Sequence, residues 1–189
     1  MPFAWKAGIA ALLCVACSAA QAQLKGENLI VLPPAGFVVG HADTANFVSL
    51  TEWIPANETV QNWSEMVTVQ IFSRRGDLNP VPFLKSLQGH WLAACPGSTP
   101  AAVAPDKVNG YEAATMLLRC PRLAATSRPE TTMFRAIKGK GSFYVVQRAI
   151  RSSGTPDEVE RMKRYLGEVR VCEAGSSDRP CPDLKPMPR

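Results

Sequence analysis

The chain has 189 residues, of which 46% are hydrophobic and 20% are charged; this composition is typical of a single globular domain and excludes a wholly disordered chain. Its formal net charge of +5 is spread along the sequence without a run of five or more like charges. A nucleic-acid-binding protein would need clustered Lys and Arg on one element, so the composition argues against a nucleic-acid partner.

Residues 1–22 have the pattern of a secretory signal peptide. Met1–Lys6 is a short positive segment, Ala7–Ala20 is an apolar run, and Ala20-Gln21-Ala22 is an A-x-A cleavage site. These three features occur in this order in signal peptides. The pattern therefore predicts a mature protein that begins at Gln23 and is periplasmic or secreted.

The apolar run of this leader is too short to span a bilayer, and no second run of 18 apolar residues follows it. No transmembrane span is therefore predicted. Lipid attachment at Cys17 is the alternative to ordinary cleavage. Cys14-Val15-Ala16-Cys17 resembles a lipobox, except that Cys14 stands where Leu is usual.

Alternation of apolar and polar residues predicts strands in the first half of the chain. These strands are expected at residues 28–32, 37–41, 47–54 and 65–72. The last has the strongest signal, with Val67, Val69 and Ile71 on one face that should belong to the core. The first three have short connections, which predict an antiparallel meander. Residues 56–64 are expected to hold one helical turn.

Two helices are predicted from their capping residues and apolar stripes. The first begins after the Asn79 cap, and the second begins after the Thr155 cap, with Glu158 completing a capping box. The stripes are Leu84, Leu87, Trp91 and Ala94 in the first helix, and Val159, Met162, Leu166 and Val169 in the second. Further strands are expected at residues 111–120, 131–138 and 142–150, with a loop at residues 98–105.

This order of elements predicts an α+β fold, an antiparallel sheet of about six or seven strands covered by two main helices. One domain should span residues 23–172, and a Pro-rich tail at residues 173–189 should be pinned by a disulfide. The element order resembles the PsbP/Mog1-like α/β/α sandwich. That resemblance implies a small exported or lumenal protein that acts as a binding or assembly module. A cystatin-like or nuclear-transport-factor-like curved sheet is the alternative fold.

Cys95, Cys120, Cys172 and Cys181 remain after the leader is removed. Four cysteines in an exported chain most often form two disulfides. Sequence proximity favours pairing the first two and the last two, although spacing alone leaves all three pairings open. A zinc site is disfavoured, because no two of these cysteines have C-x-x-C spacing.

The sequence around the last cysteine, Arg179-Pro180-Cys181-Pro182, together with the cysteine pattern, resembles uncharacterised exported bacterial proteins. This second resemblance implies no known activity. No metal or other cofactor is predicted.

Polar residues inside the predicted strands are the candidate site. They are Thr68, Gln70, Arg135, Gln147 and Arg148. One interpretation is a solvated sheet surface or edge strand. The other is a polar face where a ligand or partner docks, with arginine the residue most suited to such a contact.

The motifs of common hydrolases are absent from the sequence, including G-x-S-x-G and H-E-x-x-H. The chain is therefore predicted to be a non-catalytic binding or assembly module of the cell envelope. Its partner would be another envelope protein or a small ligand. The alternative is a small periplasmic hydrolase with a site near His41 or His90.

Overall fold

The computed structural model describes residues 25–182 of the chain. Its elements are β1 (Glu27–Ile30), β2 (Phe37–Ala45), β3 (Val48–Pro55), β4 (Glu65–Ser73), α1 (Pro80–Ala94), β5 (Val103–Val108), β6 (Tyr111–Cys120), β7 (Glu130–Lys138), β8 (Ser142–Ile150), α2 (Pro156–Glu168) and β9 (Arg170–Glu173). The predicted signal peptide, Cys17 and the end of the Pro-rich tail lie outside the described residues. In residues 25–182, no helix is long and apolar enough to cross a membrane.

Within residues 25–182, seven strands form one antiparallel sheet in the order β2-β3-β4-β8-β7-β6-β5. The predicted α+β class and antiparallel sheet are therefore confirmed. The predicted meander of the first three strands is wrong in one respect, because β1 pairs with β9 in a separate two-stranded sheet. Pro33 and Pro34 follow β1 and lack backbone donors, so they favour a break between β1 and the hairpin of β2 and β3.

The sheet is covered on both sides, so its central strands are buried on both faces. We name the two faces after the helix that packs on each. The α1 face has a core of Leu84, Ala114, Met116, Leu118, Phe134, Ala136, Phe143 and Val145. The core of the α2 face includes Val67, Val69, Met133, Ile137, Val146, Ile150, Val159, Met162 and Leu166, with Val171 of the small sheet. Every residue of β7 except Lys138 is buried.

The strand with the strongest sequence signal lies in the middle of this arrangement. β4 pairs with β3 on one side and with β8 on the other. Val67 and Val69 are buried and Ile71 packs against the same core, as their alternation predicted. The helical turn expected in residues 56–64 is wrong. That segment consists of turns and bends, and the Glu58 carboxylate closes it by accepting hydrogen bonds from the Ser64 amide and hydroxyl.

Two strands were missed because their local signals are weak. β5 runs through a segment predicted to be a loop, and it contains Pro105. Proline is tolerated there because β5 is an edge strand, where a missing amide donor leaves no neighbour unsatisfied. β9 has only four residues, and its partner β1 lies about 140 residues earlier in the chain.

Both helices begin where their capping residues predicted. The Asn79 side chain accepts a hydrogen bond from the Val81 amide, and Thr155 and Glu158 form the full capping box of α2. The apolar stripe of α2 is buried throughout. The stripe predicted for α1 is wrong at its end, because Ala94 is exposed. Phe83 packs against the sheet instead, with its ring centroid 4.9 Å from that of Phe143.

The four cysteines pair as sequence proximity favoured. Cys95 and Cys120 join the C-terminal end of α1 to the end of β6, with their Cα atoms 5.8 Å apart. Cys172 and Cys181 join β9 to the following segment, with their Cα atoms 4.8 Å apart. The first disulfide therefore links two layers of the fold, whereas the second fixes a short loop near the end of the described chain.

Removing the first disulfide by Cys95→Ser with Cys120→Ser should lower the free energy of unfolding by about 2–4 kcal/mol. The reason is that this bond closes a loop of 25 residues. The matched variant Cys172→Ser with Cys181→Ser should lose less, because that loop spans 9 residues. Urea denaturation of the non-reduced proteins measures both differences. An equal loss of unfolding free energy in the two variants would contradict the expected dependence on loop length.

One acidic side chain is buried without a hydrogen bond to another described residue. Glu130 is 7% exposed, and burial raises the pKa of its carboxyl, an effect that the nearby Arg151 guanidinium partly offsets. A carboxyl whose pKa is raised in the folded state stabilises the fold while it is protonated. That contribution is lost as the pH rises through the folded-state pKa.

Glu130→Gln should therefore raise the free energy of unfolding at pH 7 by roughly 1 kcal/mol, since the amide carries no charge to desolvate. At pH 4 the two proteins should be equally stable. Denaturation at both pH values tests this, with Glu112→Gln as the control because the Glu112 side chain is 65% exposed. A difference that does not change with pH would rule out the buried charge as its cause.

Candidate functional site

Part of the α1 face lies beside helix α1 rather than beneath it. α1 packs chiefly on β5, β6 and β7, and Phe83 extends its cover to Phe72 at the end of β4. At the other end, Val60 and Trp63 of the loop at residues 56–64 cover a small core. Between these covers lies an open strip that crosses β2, β3, β4 and β8, where the polar side chains other than Thr68 are exposed or half-buried.

A row of polar side chains crosses this strip, one from each strand. His41 is opposite Glu52, Glu52 is opposite Thr68, and Thr68 is opposite Gln147. Residues directly opposite each other in antiparallel strands share a face, with Cβ atoms about 4.5–5.5 Å apart. We call these four residues the polar row. Gln70 lies beside it on the same face, two residues after Thr68.

The five predicted site residues do not form one surface. Thr68, Gln70 and Gln147 lie together on the α1 face, whereas Arg135 and Arg148 lie on the α2 face. Gln147 and Arg148 are consecutive in β8, and consecutive residues of a strand point to opposite faces. The prediction of a single docking face from these five residues is therefore wrong.

The side chains of the polar row form no hydrogen bonds or ion pairs within the described part of the chain. The side chains of His41, Glu52, Thr68, Gln70 and Gln147 make no hydrogen bond or ion pair with another residue in the range 25–182. Thr68 is only 8% exposed, but its hydroxyl is not among the buried polar atoms without a partner in residues 25–182, so the oxygen still reaches solvent. These side chains are therefore free to form hydrogen bonds with a ligand without first losing an internal one.

The two arginines, in contrast, have structural partners. The Arg135 side chain donates hydrogen bonds to the Leu166 carbonyl oxygen and to the Asp106 carboxylate. Arg148 donates to the Glu65 carboxylate at 2.8 Å and lies over the ring of Tyr165, 5.0 Å from its centroid. Burial raises the pKa of Tyr165 to about 12, so this phenol stays neutral under the arginine at ordinary pH.

Sequence reasoning did not predict that His41 and Glu52 lie in this row, although it named His41 for the alternative hydrolase. The register of β2 shifts between Val39 and His41, with Gly40 as the extra residue of a bulge. A Cβ atom on Gly40 would lie 2.7 Å from Ile54 Cδ1, so a larger residue would require the neighbouring side chains to shift. The bulge places His41 on the α1 face, and simple alternation could not have predicted this.

The chemistry available in the row is hydrogen bonding, with a carboxylate, a hydroxyl, an imidazole and an amide. In residues 25–182, neither His41 nor His90 forms a hydrogen bond to a carboxylate or a hydroxyl. No group of three His, Cys, Asp or Glu residues in the described part of the chain could hold a metal ion.

No family model and no curated protein matches the chain. Among solved structures, it is similar to LpqN, involved in cell envelope biogenesis of Mycobacterium tuberculosis, with 11% identity, a TM-score of 0.47, and coverage of 79% of this chain and 86% of that one. It is also similar to the Saccharomyces cerevisiae Ran-binding protein Mog1p (11% identity, TM-score 0.41, 75% and 85% covered). A mutant of Mog1 matches with 12% identity, a TM-score of 0.40, and 74% and 84% covered.

Mog1, whose fold the predicted resemblance named, is thus among these similar structures. At these identities and TM-scores the matches give no evidence about function.

Replacing Arg135 by an apolar residue should lower the free energy of unfolding far more than replacing Thr68 does. Arg135→Met should lower the free energy of unfolding by about 2–3 kcal/mol, because Asp106 and the Leu166 carbonyl lose a charged donor. Thr68→Val should change it by less than about 0.5 kcal/mol, because its hydroxyl has no partner to lose. Urea denaturation measures both. A comparable loss for Thr68→Val would mean that the polar row serves the fold.

Proposed function

We propose that the chain is an exported, non-catalytic binding module of the cell envelope, and that its partner docks on the polar row. The observation that carries the proposal is the set of unpaired polar side chains on the open strip of the α1 face. The row spans four strands, which is about 15 Å at the usual strand spacing. This length suits a short extended peptide segment or a small polar ligand.

The composition of the row favours a neutral or cationic partner. Glu52 supplies a carboxylate, Thr68 a hydroxyl, and Gln70 and Gln147 amides that both donate and accept hydrogen bonds. Each of these groups sits on a paired strand, so little conformational entropy would be lost on binding. These properties suit recognition of peptide groups or hydroxyls.

Export is part of the proposal. Two disulfides in a chain of this size are typical of an oxidising compartment, and the leader pattern at residues 1–22 agrees with it. We propose a mature domain at residues 23–172 with the Pro-rich tail after it. Intact-mass measurement of the exported protein distinguishes a start at Gln23 from lipid attachment at Cys17.

The proposed docking surface is tested with Thr68→Val combined with Gln147→Leu. The mature protein and this variant are each used to capture material from an envelope fraction, and the captured partner is then purified and titrated against both. The affinity of the variant should fall by at least about tenfold, because two hydrogen-bonding groups are lost.

Thr51→Val is the matched control. It makes the same substitution on the neighbouring strand β3, but opposite Val69 and therefore on the α2 face. This variant should bind as the parent does. If the partner binds the polar-row variant and the parent equally, the docking surface lies elsewhere.

A further inference from the structure

Strand β2 forms one edge of the seven-stranded sheet. In residues 25–182 it pairs only with β3, and every residue of β2 after Phe37 is exposed. Three of the four large hydrophobic residues that are exposed in this range lie at the ends of the strand: Val38 and Val39 near its start, and Phe47 just beyond its end. Exposed apolar groups beside an open strand edge indicate an interaction surface.

The backbone groups that β2 offers at this edge follow from the turn that ends it. Ala45 is the last residue of the strand, and a two-residue turn with positive φ angles at positions 46 and 47 joins it to β3. In such a hairpin the pair next to the turn exchanges two hydrogen bonds, and bonded pairs then alternate along the ladder. The backbone groups of Ala42 and Thr44 therefore point to the open side. The Thr44 amide agrees with this, since it donates to the Asp43 carboxylate at 2.7 Å.

The opposite edge strand, β5, is blocked. Val108 is next to the turn into β6, so the same alternation directs the backbone groups of Pro105 and Lys107 outward. Pro105 has no amide to donate. The Lys107 amide donates to the Asp106 carboxylate at 2.7 Å, and Arg135 holds that carboxylate in place. β2 contains neither proline nor lysine, the residues that commonly protect an edge.

The Asp43 carboxylate at the open edge is not held in this way. It makes no ion pair with another residue in the range 25–182. A carbonyl oxygen of an added strand would replace it as the acceptor for the Thr44 amide and leave it available to a donor. His41 lies two residues earlier on the same face. The edge thus presents a hydrogen-bond donor and an acceptor at the spacing that an antiparallel copy of itself would match.

We propose that the partner at this edge is a second copy of the chain, paired antiparallel through β2 about a two-fold axis at Ala42. In this register the two Ala42 residues exchange backbone hydrogen bonds, and His41 of each copy lies opposite Asp43 of the other. Complementary residues directly opposite each other stabilise such a pair, and like charges destabilise it. A register centred on Asp43 would place two carboxylates opposite each other.

The same arrangement covers the exposed apolar residues. Because the two strands are antiparallel, the start of β2 in one copy lies beside the end of β2 in the other. Val38 and Val39 of each copy then approach Phe47 of the other. One continuous sheet would run through both copies, and this interface does not depend on a ligand for the polar row.

Sedimentation equilibrium of the mature protein tests the interface. The parent should dimerise with a Kd of about 100 μM or below, as expected for a small interface. Phe47→Asn should weaken dimerisation by at least about tenfold, because it removes the apolar contact; asparagine tolerates the positive φ at this position. Leu32→Asn is the matched control, since Leu32 is equally exposed but lies away from this edge, with its carbonyl oxygen bonded to Tyr165 of α2.

Cross-linking tests the register. Ala42→Cys should give an intermolecular disulfide under mild oxidation, because Cα atoms of a hydrogen-bonded pair lie about 5.5 Å apart. Thr44→Cys is the matched control, since the two introduced thiols would lie on Cα atoms roughly 14 Å apart in this register.

Four results would overturn the proposal. They are a parent that stays monomeric at about 500 μM, an equal effect of Phe47→Asn and Leu32→Asn, failure of Ala42→Cys to cross-link, and equal cross-linking of Ala42→Cys and Thr44→Cys. A monomer that instead binds an extended peptide of another protein at β2 falls under the first of these.

Discussion

The buried guanidinium of Arg135 holds together three parts of the molecule that the main chain does not connect directly. It projects from the centre of the sheet, pairs with Asp106 on the edge strand β5, and caps the Leu166 carbonyl near the end of α2. A cation at this depth is costly unless it is paired, and the Nε atom of Arg135 is already buried without a partner in the described part of the chain. The helix and the edge strand must therefore keep their positions relative to the sheet.

Much of the fold could be predicted from local patterns in the sequence. Alternation along residues 65–72 predicted β4, and the Thr155–Glu158 capping box predicted the start of α2. β5, β9 and the partner of β1 were not predictable in the same way. β5 contains Pro105, and β1 pairs with a strand that lies about 140 residues later in the chain. Such pairings depend on tertiary contacts rather than on local propensity.

The candidate site was predictable in part. Thr68 and Gln147 were recognised because polar side chains interrupt otherwise apolar strands. Grouping Gln147 with Arg148 was an avoidable error, since neighbours in one strand cannot share a face. The face on which His41 lies could not be predicted, because the direction of its side chain depends on the extra residue Gly40 in β2. A bulge has no reliable signal in a single sequence, although a glycine inside a strand is compatible with one.

The pairing of β1 with β9 brings the two ends of the domain together, with Glu27 directly opposite Glu173. A short peptide linker could join these ends, and new termini could be opened at an exposed turn such as Asn46-Phe47 between β2 and β3. The order of the strands in sequence would change, while every pair of neighbours in the sheet would be kept. The domain is thus suited to circular permutation.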